Sequence, residues 1–184
     1  MEWTALLARI KEGEAMFSKV IAASVLVVSA CSVFAAPAKQ FKSVEEVGDF
    51  TQDFMTETGT LKVLKKKPLH IQLRIDNQAD TKLAAEAMFR AYLWGVYRTF
   101  LHTNADEVTV TVVSPVAVDG NSKFTAISTR TRALATVQQI PGIKGWDDLL
   151  TASQSWSEPM KRCMYSSFGK PGLRDCALSA AGKL

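Results

Sequence analysis

The sequence predicts an α+β fold: a small mixed three-stranded sheet, made of a β-α-β unit plus a hairpin, packed with one long central helix and several shorter helices. Three observations carry this expectation. Leu69, Ile71, Leu73 and Ile75 alternate with His70, Gln72 and Arg74, the period of a half-buried strand. Val108, Val110 and Val112 alternate with Thr109 and Thr111 in the same way. Between these runs, Asn77 to Thr103 has the length and spacing of a helix. An apolar share of 47% and 22% charged residues over 184 residues is the composition of a folded chain and excludes disorder throughout. The formal charge of +4 leans towards anionic partners, but it falls short of a nucleic-acid-binding domain, so no nucleic-acid partner is expected.

The chain divides into an N-terminal extension and secretory signal segment (1–38), an amphipathic helix with a basic connector (39–68), and an α+β domain with a C-terminal helical tail (69–184). Lys19, the apolar run Val20 to Val28 and the small residues after it have the layout of a secretory signal peptide. The run is too short to span a bilayer comfortably, and its β-branched residues suit a buried helix poorly. Glu2, Arg9, Lys11, Glu12 and Glu14 form the wrong lead-in for such a signal, whereas Met16-Phe17-Ser18-Lys19 is a usual one. Translation is therefore expected to begin at Met16. Val33-Phe34-Ala35 and Ala36-Pro37-Ala38 both fit the small-x-small rule for cleavage. Val28-Ser29-Ala30-Cys31 resembles the lipobox of bacterial lipoproteins, and the resemblance implies lipidation of Cys31 and, with Ser32 following, an outer-membrane anchor. Against it, Val33 to Ala36 stays apolar where lipoproteins usually continue with a polar tether. The expected product is periplasmic or secreted, with a lipoprotein anchored at Cys31 as the alternative.

Three cysteines leave one over in an exported chain. Removal or lipidation of Cys31 resolves the odd count and leaves Cys163 and Cys176 to pair as a disulfide in an oxidising compartment; two buried or free thiols are the alternative.

Within the mature segment, Ser43-Val44-Glu45-Glu46 is a capping box, continued by Val44, Val47, Phe50 and Phe54 as an amphipathic helix to about Met55. Thr58-Gly59-Thr60 ends it. Lys62, Lys65, Lys66 and Lys67 then stand among Leu61, Val63 and Leu64 before Pro68, as a solvated connector into the first strand. The same four lysines are candidate contacts for lipid headgroups or another anionic surface. Asn77 is placed to cap the central helix, with Asp80 three residues on, and Lys82, Glu86 and Arg90 line one flank at i, i+4 spacing. Beyond Arg90 the apolar residues go most of the way round, so this half needs cover on several sides. Tyr92, Trp94, Tyr97 and Phe100 accordingly have two readings, core packing or a groove for a partner protein.

Asn104-Ala105-Asp106 turns into the second strand, and Pro115 within its continuation to Val118 signals an edge or a bulge. Asp119-Gly120-Asn121-Ser122 is a hairpin turn, and Phe124 to Thr129 returns as the third strand. A right-handed crossover makes the first two strands parallel, and the Thr, Gln and Arg positions imply that one sheet face is partly wet. Ala133, Leu134, Val137 and Ile140 share one side of a helix stopped by Pro141-Gly142. Trp146, Leu149 and Leu150 start another short helix, with Asp147 and Asp148 in its first turn where the dipole favours them, and Met160 to Phe168 has helical character. Leu173 to Leu184 is a small-residue end, expected to be held mainly through Cys176.

No motif identifies a reaction. His70 and His102 lack the neighbours of a metal site and suit a polar strand face and a helix C-terminus. The chain has no Cys-x-x-Cys, no Gly-x-Ser-x-Gly and no complete phosphate loop. Adjacent Asp147 and Asp148 diverge by about 100° on a helix, so they do not form an acid/base pair. No cofactor or metal is expected. The function expected is that of an exported bacterial cell-envelope protein, a non-enzymatic protein-interaction or assembly module whose partner is another envelope protein. It would reach the membrane only through the signal or a lipid anchor. The alternative is a small periplasmic hydrolase or other enzyme whose site assembles only in the fold.

Overall fold

A computed structural model describes residues 37–165 and 170–183. Met16 and Cys31 lie outside the described residues, with the rest of the signal segment up to residue 36. In chain order the elements are α1 (Val44–Thr51), β1 (Leu61–Lys66), β2 (Leu69–Arg74), α2 (Thr81–His102), β3 (Glu107–Val118), β4 (Asn121–Thr129), α3 (Arg130–Val137), a 3-10 turn (Trp146–Asp148), α4 (Lys161–Met164) and α5 (Leu173–Ala180).

The fold is α+β, with the 22-residue α2 packed on a mixed sheet. The sheet has four strands rather than three, in the order β1-β2-β3-β4. β2 and β3 are parallel, as the crossover requires, and β1 and β4 flank them antiparallel. The additional strand is the lysine-rich segment read as a connector. Leu61 and Val63 stand opposite Leu73 and Ile71 and supply its inward face. A bulge between Val63 and Lys65 then breaks the alternation that would have marked it as a strand.

Two helix boundaries also move. α2 is capped by Asp80, whose Oδ1 accepts from Leu83 N at 2.8 Å, and Asn77 is exposed in the segment before it. α1 ends at Gln52, in the left-handed conformation (φ 57°), because the chain then doubles back across Gly48. A Cβ on Gly48 would lie 2.3 Å from Phe54 O. Gly95 does the same for α2, where a Cβ would come within 2.9 Å of Val110 Cγ1 and 3.2 Å of Leu73 Cδ1. The bare backbone at Gly95 is what lets the helix lie close on β2 and β3.

The inward sheet face is built from Ile71, Leu73, Val108, Val110 and Val112, all buried. Helices α1, α3 and α5 pack on α2 and, with Trp146 and Trp156 from the segment between α3 and α4, bury its second half on the sides away from the sheet. Arg130 closes its C-terminal end, donating from Nη1 to Phe100 O (2.7 Å), from Nη2 to Thr103 O (2.6 Å) and from Nε to Ala105 O (3.1 Å). These carbonyls lie at or beyond the helix end, where intrahelical donors run out.

The β3–β4 hairpin turns on Asp119 and Gly120, both with positive φ, as a two-residue turn requires. Register shifts between Val113 and Val118 around Pro115, where Ser114 Oγ takes up both N (3.1 Å) and O (2.7 Å) of Val116. Asp148 Oδ2 accepts from Lys144 N and Gly145 N, so this carboxylate serves its own turn. The C-terminal helix packs more fully than its composition suggests. α5 buries Leu173, Cys176, Ala177 and Ala180, and Cys163 and Cys176 form a disulfide joining α4 to α5, with Cα atoms 5.5 Å apart.

Candidate functional site

Of the two readings of Tyr92, Trp94, Tyr97 and Phe100, core packing is the one their burial supports. Tyr92, Trp94, Tyr97 and Phe100 are 0, 3, 0 and 1% exposed. Trp94 Nε1 donates to Asp53 Oδ2 at 2.8 Å, and Tyr97 Oη donates to Ala133 O at 3.0 Å. Burial, reinforced by the neighbouring Tyr92, holds the Tyr97 hydroxyl protonated far above the ordinary tyrosine range. The helices that wrap α2 supply the cover that the sequence demanded, and these rings are not available to a partner.

The four lysines separate. Lys66 and Lys67 line a groove with Val44, Val63 and Leu69, whereas Lys62 and Lys65 belong to the outer face of the sheet. Among the described residues no helix covers that outer face. Lys62, Gln72, Thr111 and Thr125 form one row across all four strands. Lys65, His70, Thr109 and Ile127 form a second, and Arg74, Val113 and Lys123 a third. His70 Nε2 lies 2.9 Å from Thr111 Oγ1, which lies 2.9 Å from Thr125 Oγ1. Because ladder N–H groups are committed to the sheet, no pair of them is left beside Thr111 to hold an oxyanion, and the contact is a cross-strand hydrogen bond. The rows carry Lys62, Lys65, Arg74 and Lys123, while Glu107, the one carboxylate among the described strand residues of this face, lies at its end opposite Thr129. Ile127, 48% exposed, is an apolar point within it. The wet face was legible in the strand alternation; its charge was not, because Lys62, Arg74 and Lys123 meet only through pairing.

A second feature lies elsewhere, between the end of α1, α2 and the loop Thr151–Trp156. This cleft of about 520 Å³ is lined by Phe50, Asp53, Arg98, Ser155, Trp156 and Lys161 among others. Arg98, only 5% exposed, stacks its guanidinium 4.1 Å from the Trp156 ring centroid and donates from Nη1 to Gln154 O at 2.9 Å. His102 Nδ1 lies 2.7 Å from Lys39 O, so Nδ1 carries the proton and Nε2 accepts from Arg98 Nη1 at 3.2 Å. The only advance signal of this cluster was an arginine set among apolar residues in α2.

That arrangement makes stability pH-dependent. Burial pushes the His102 pKa down from 6.5, and the Arg98 charge adds to the shift, against the hydrogen bond to Lys39 O that raises it. The unfolded chain therefore takes up a proton that the folded chain refuses, and stability falls as pH drops from 6.5 through the depressed folded value. The urea midpoint is expected to fall between about pH 7.5 and 5.5, and His102→Gln should remove part of that slope. An equal slope in both proteins would show that His102 contributes none of it.

Among the described residues no three His, Cys, Asp or Glu side chains converge as a metal site would require. No helix among them is long and apolar enough to cross a membrane, and the disulfide is compatible with a location outside the cytoplasm. No protein family, curated protein or solved structure matches the chain.

Proposed function

We propose that the chain is an exported cell-envelope protein, cleaved to a periplasmic product, that acts as a non-enzymatic docking module for another envelope protein. Its docking surface is the outer face of the sheet, and the partner presents an acidic surface there. The observation that carries this reading is the charge of that face: Lys62, Lys65, Arg74 and Lys123 stand around a hydrogen-bonding centre of Gln72, Thr111 and Thr125, and among the described strand residues Glu107 alone opposes them, at one end. A surface of one sign steers and orients an oppositely charged partner and disfavours others. The buried disulfide suits an oxidising compartment, and Lys62 and Lys65 are two of the lysines that pointed to an anionic contact from the start.

Carbodiimide coupling in cells of the source organism tests the reading, since it joins lysines to carboxylates already in contact. Crosslinks are expected from Lys62, Lys65 and Lys123 to acidic residues of one envelope protein. Lys62→Glu with Lys123→Glu should reduce the yield about tenfold, and raised salt should weaken it. Crosslinks confined to other faces, or unchanged in the doubly reversed variant, would sink the proposal. Intact mass of the same protein tells a start after Ala35 or Ala38 from a lipidated start at Cys31.

A further inference from the structure

We infer that the groove between α1 and the β1–β2 hairpin docks the protein on an anionic phospholipid surface, with Lys42, Lys66 and Lys67 against the headgroup phosphates and Leu64 and the groove walls against the upper acyl chains. The inference is independent of the outer face of the sheet, since none of these residues stands in its rows. It starts from the bulge in β1. Leu61 and Val63 turn inward, and strict alternation would send Lys65 the same way. The register shift instead places Lys65 opposite His70 on the outer face and Lys66 opposite Leu69, which stands beside Val108 of the inner face. It also leaves Leu64 without a partner in the ladder and 45% exposed. A lysine therefore sits on the apolar side of the edge strand, and a leucine stands in solvent among lysines.

The groove has a volume of about 380 Å³ and lies where the start of α1, the hairpin and the turn after α2 meet. Val63, Leu69 and Ala105 line it as apolar walls that are only partly buried against the core. Lys42 lines it from the α1 side, and Lys66 and Lys67 line it from the hairpin side; all three are exposed. Among the described residues that line it, Glu45 is the one carboxylate, and neither it nor any of the three lysines forms an ion pair there. Three cations against one carboxylate complement a negative surface.

An inward lysine on an edge strand also discourages pairing with another strand. That role accounts for Lys66 alone and leaves Lys42, the apolar walls and the exposed Leu64 without a reason. Lysines are point charges on flexible stems, which suits a layer of many phosphates better than one anion held in a fixed geometry. Their stems can lie along apolar surface while the ammonium stays among the headgroups. An apolar side chain set beside a cluster of lysines supplies the two signals that reversible membrane binding needs, burial in the acyl region and attraction to anionic lipid.

The test mixes the full chain with vesicles of equal parts phosphatidylglycerol and phosphatidylcholine that carry a trace of phosphatidylglycerol with a photoactivatable acyl chain. Lipid adducts are mapped by mass spectrometry after irradiation. They are expected within residues 42–45 and 61–69, a location that separates them from any made by the signal segment. Lys66→Gln with Lys67→Gln should lower their yield about tenfold or more, as should vesicles and probe of phosphatidylcholine alone. Leu64→Ser should lower it several-fold, whereas Lys123→Gln, on the outer face of the sheet, and inorganic phosphate at matched ionic strength should leave it unchanged. The inference is overturned if adducts are absent from both stretches, if phosphatidylcholine labels them as well, or if the double lysine variant or Leu64→Ser is labelled as the parent is. It is equally overturned if Lys123→Gln lowers the yield as much, or if phosphate displaces the lipid, which would mark a site for a free anion. Leu64, Lys66 and Lys67 are exposed, so the variants should fold. Should one not, the two vesicle compositions and the phosphate competition decide alone.

Discussion

Tyr97→Ala is expected to lower stability by about 3–5 kcal/mol, the range for emptying a fully buried aromatic site. The ring is 0% exposed and faces Trp146, with centroids 6.3 Å apart, and its hydroxyl donates to Ala133 O. Truncation removes the ring contacts and leaves the Ala133 carbonyl without that donor. Tyr97→Phe keeps the ring and should cost only about 1 kcal/mol, the net worth of one hydrogen bond. Urea unfolding of the purified variants, followed by circular dichroism, checks both values. Because a domain is stable by only about 5–15 kcal/mol, the alanine variant should sit close to unfolding. A Tyr97→Ala protein as stable as its parent would restore the view of this ring as a surface for partners.

Reduction of Cys163–Cys176 is expected to cost about 3 kcal/mol, the loop-entropy value for a closed loop of this size. At about 2–4 °C per kcal/mol for a chain of this length, the melting temperature should fall by roughly 6–12 °C. The structure refines where the loosening goes. Leu173, Ala177 and Ala180 keep α5 packed after the bond is gone, so the tail should become protease-sensitive without detaching completely. Limited proteolysis with mass mapping should place the first cuts after Met164, before any within α2. A Cys163→Ala/Cys176→Ala variant should behave like the reduced protein. Unchanged melting and cleavage would mean that α5 packing alone holds the tail.

Most of the architecture was readable where burial imposes a period. Ile71 and Leu73, and Val108, Val110 and Val112, are buried because one sheet face meets α2, so their strands and parallel pairing followed from spacing. β1 escaped because an edge strand buries little: only Leu61 and Val63 turn inward, and the bulge breaks their rhythm. The aromatic half of α2 was correctly read as needing cover on several sides. That the cover is α1, α3, α5, Trp146 and Trp156 depends on tertiary packing that no local pattern encodes. The two candidate sites differ in the same way. The polar sheet face follows from alternation, whereas the Arg98 cleft joins Lys39, Asp53, His102 and Trp156 from four separate stretches of chain.

The strand order also governs when this fold can form. The β1–β2 and β3–β4 hairpins each join neighbours in sequence, so their closure costs little chain entropy. Only the parallel β2–β3 pair closes a long loop, and it does so across α2. Arg130, at the far side of β4, then reaches back to the carbonyls of Phe100, Thr103 and Ala105. A chain emerging N-terminus first would therefore present α2 with its apolar second half, Val96 and Phe100 within it, incompletely covered until residues 107–180 had followed. Until then this helix is apolar and open at its C-terminal end, and any factor that shields nascent or translocating chains would find an exposed target there.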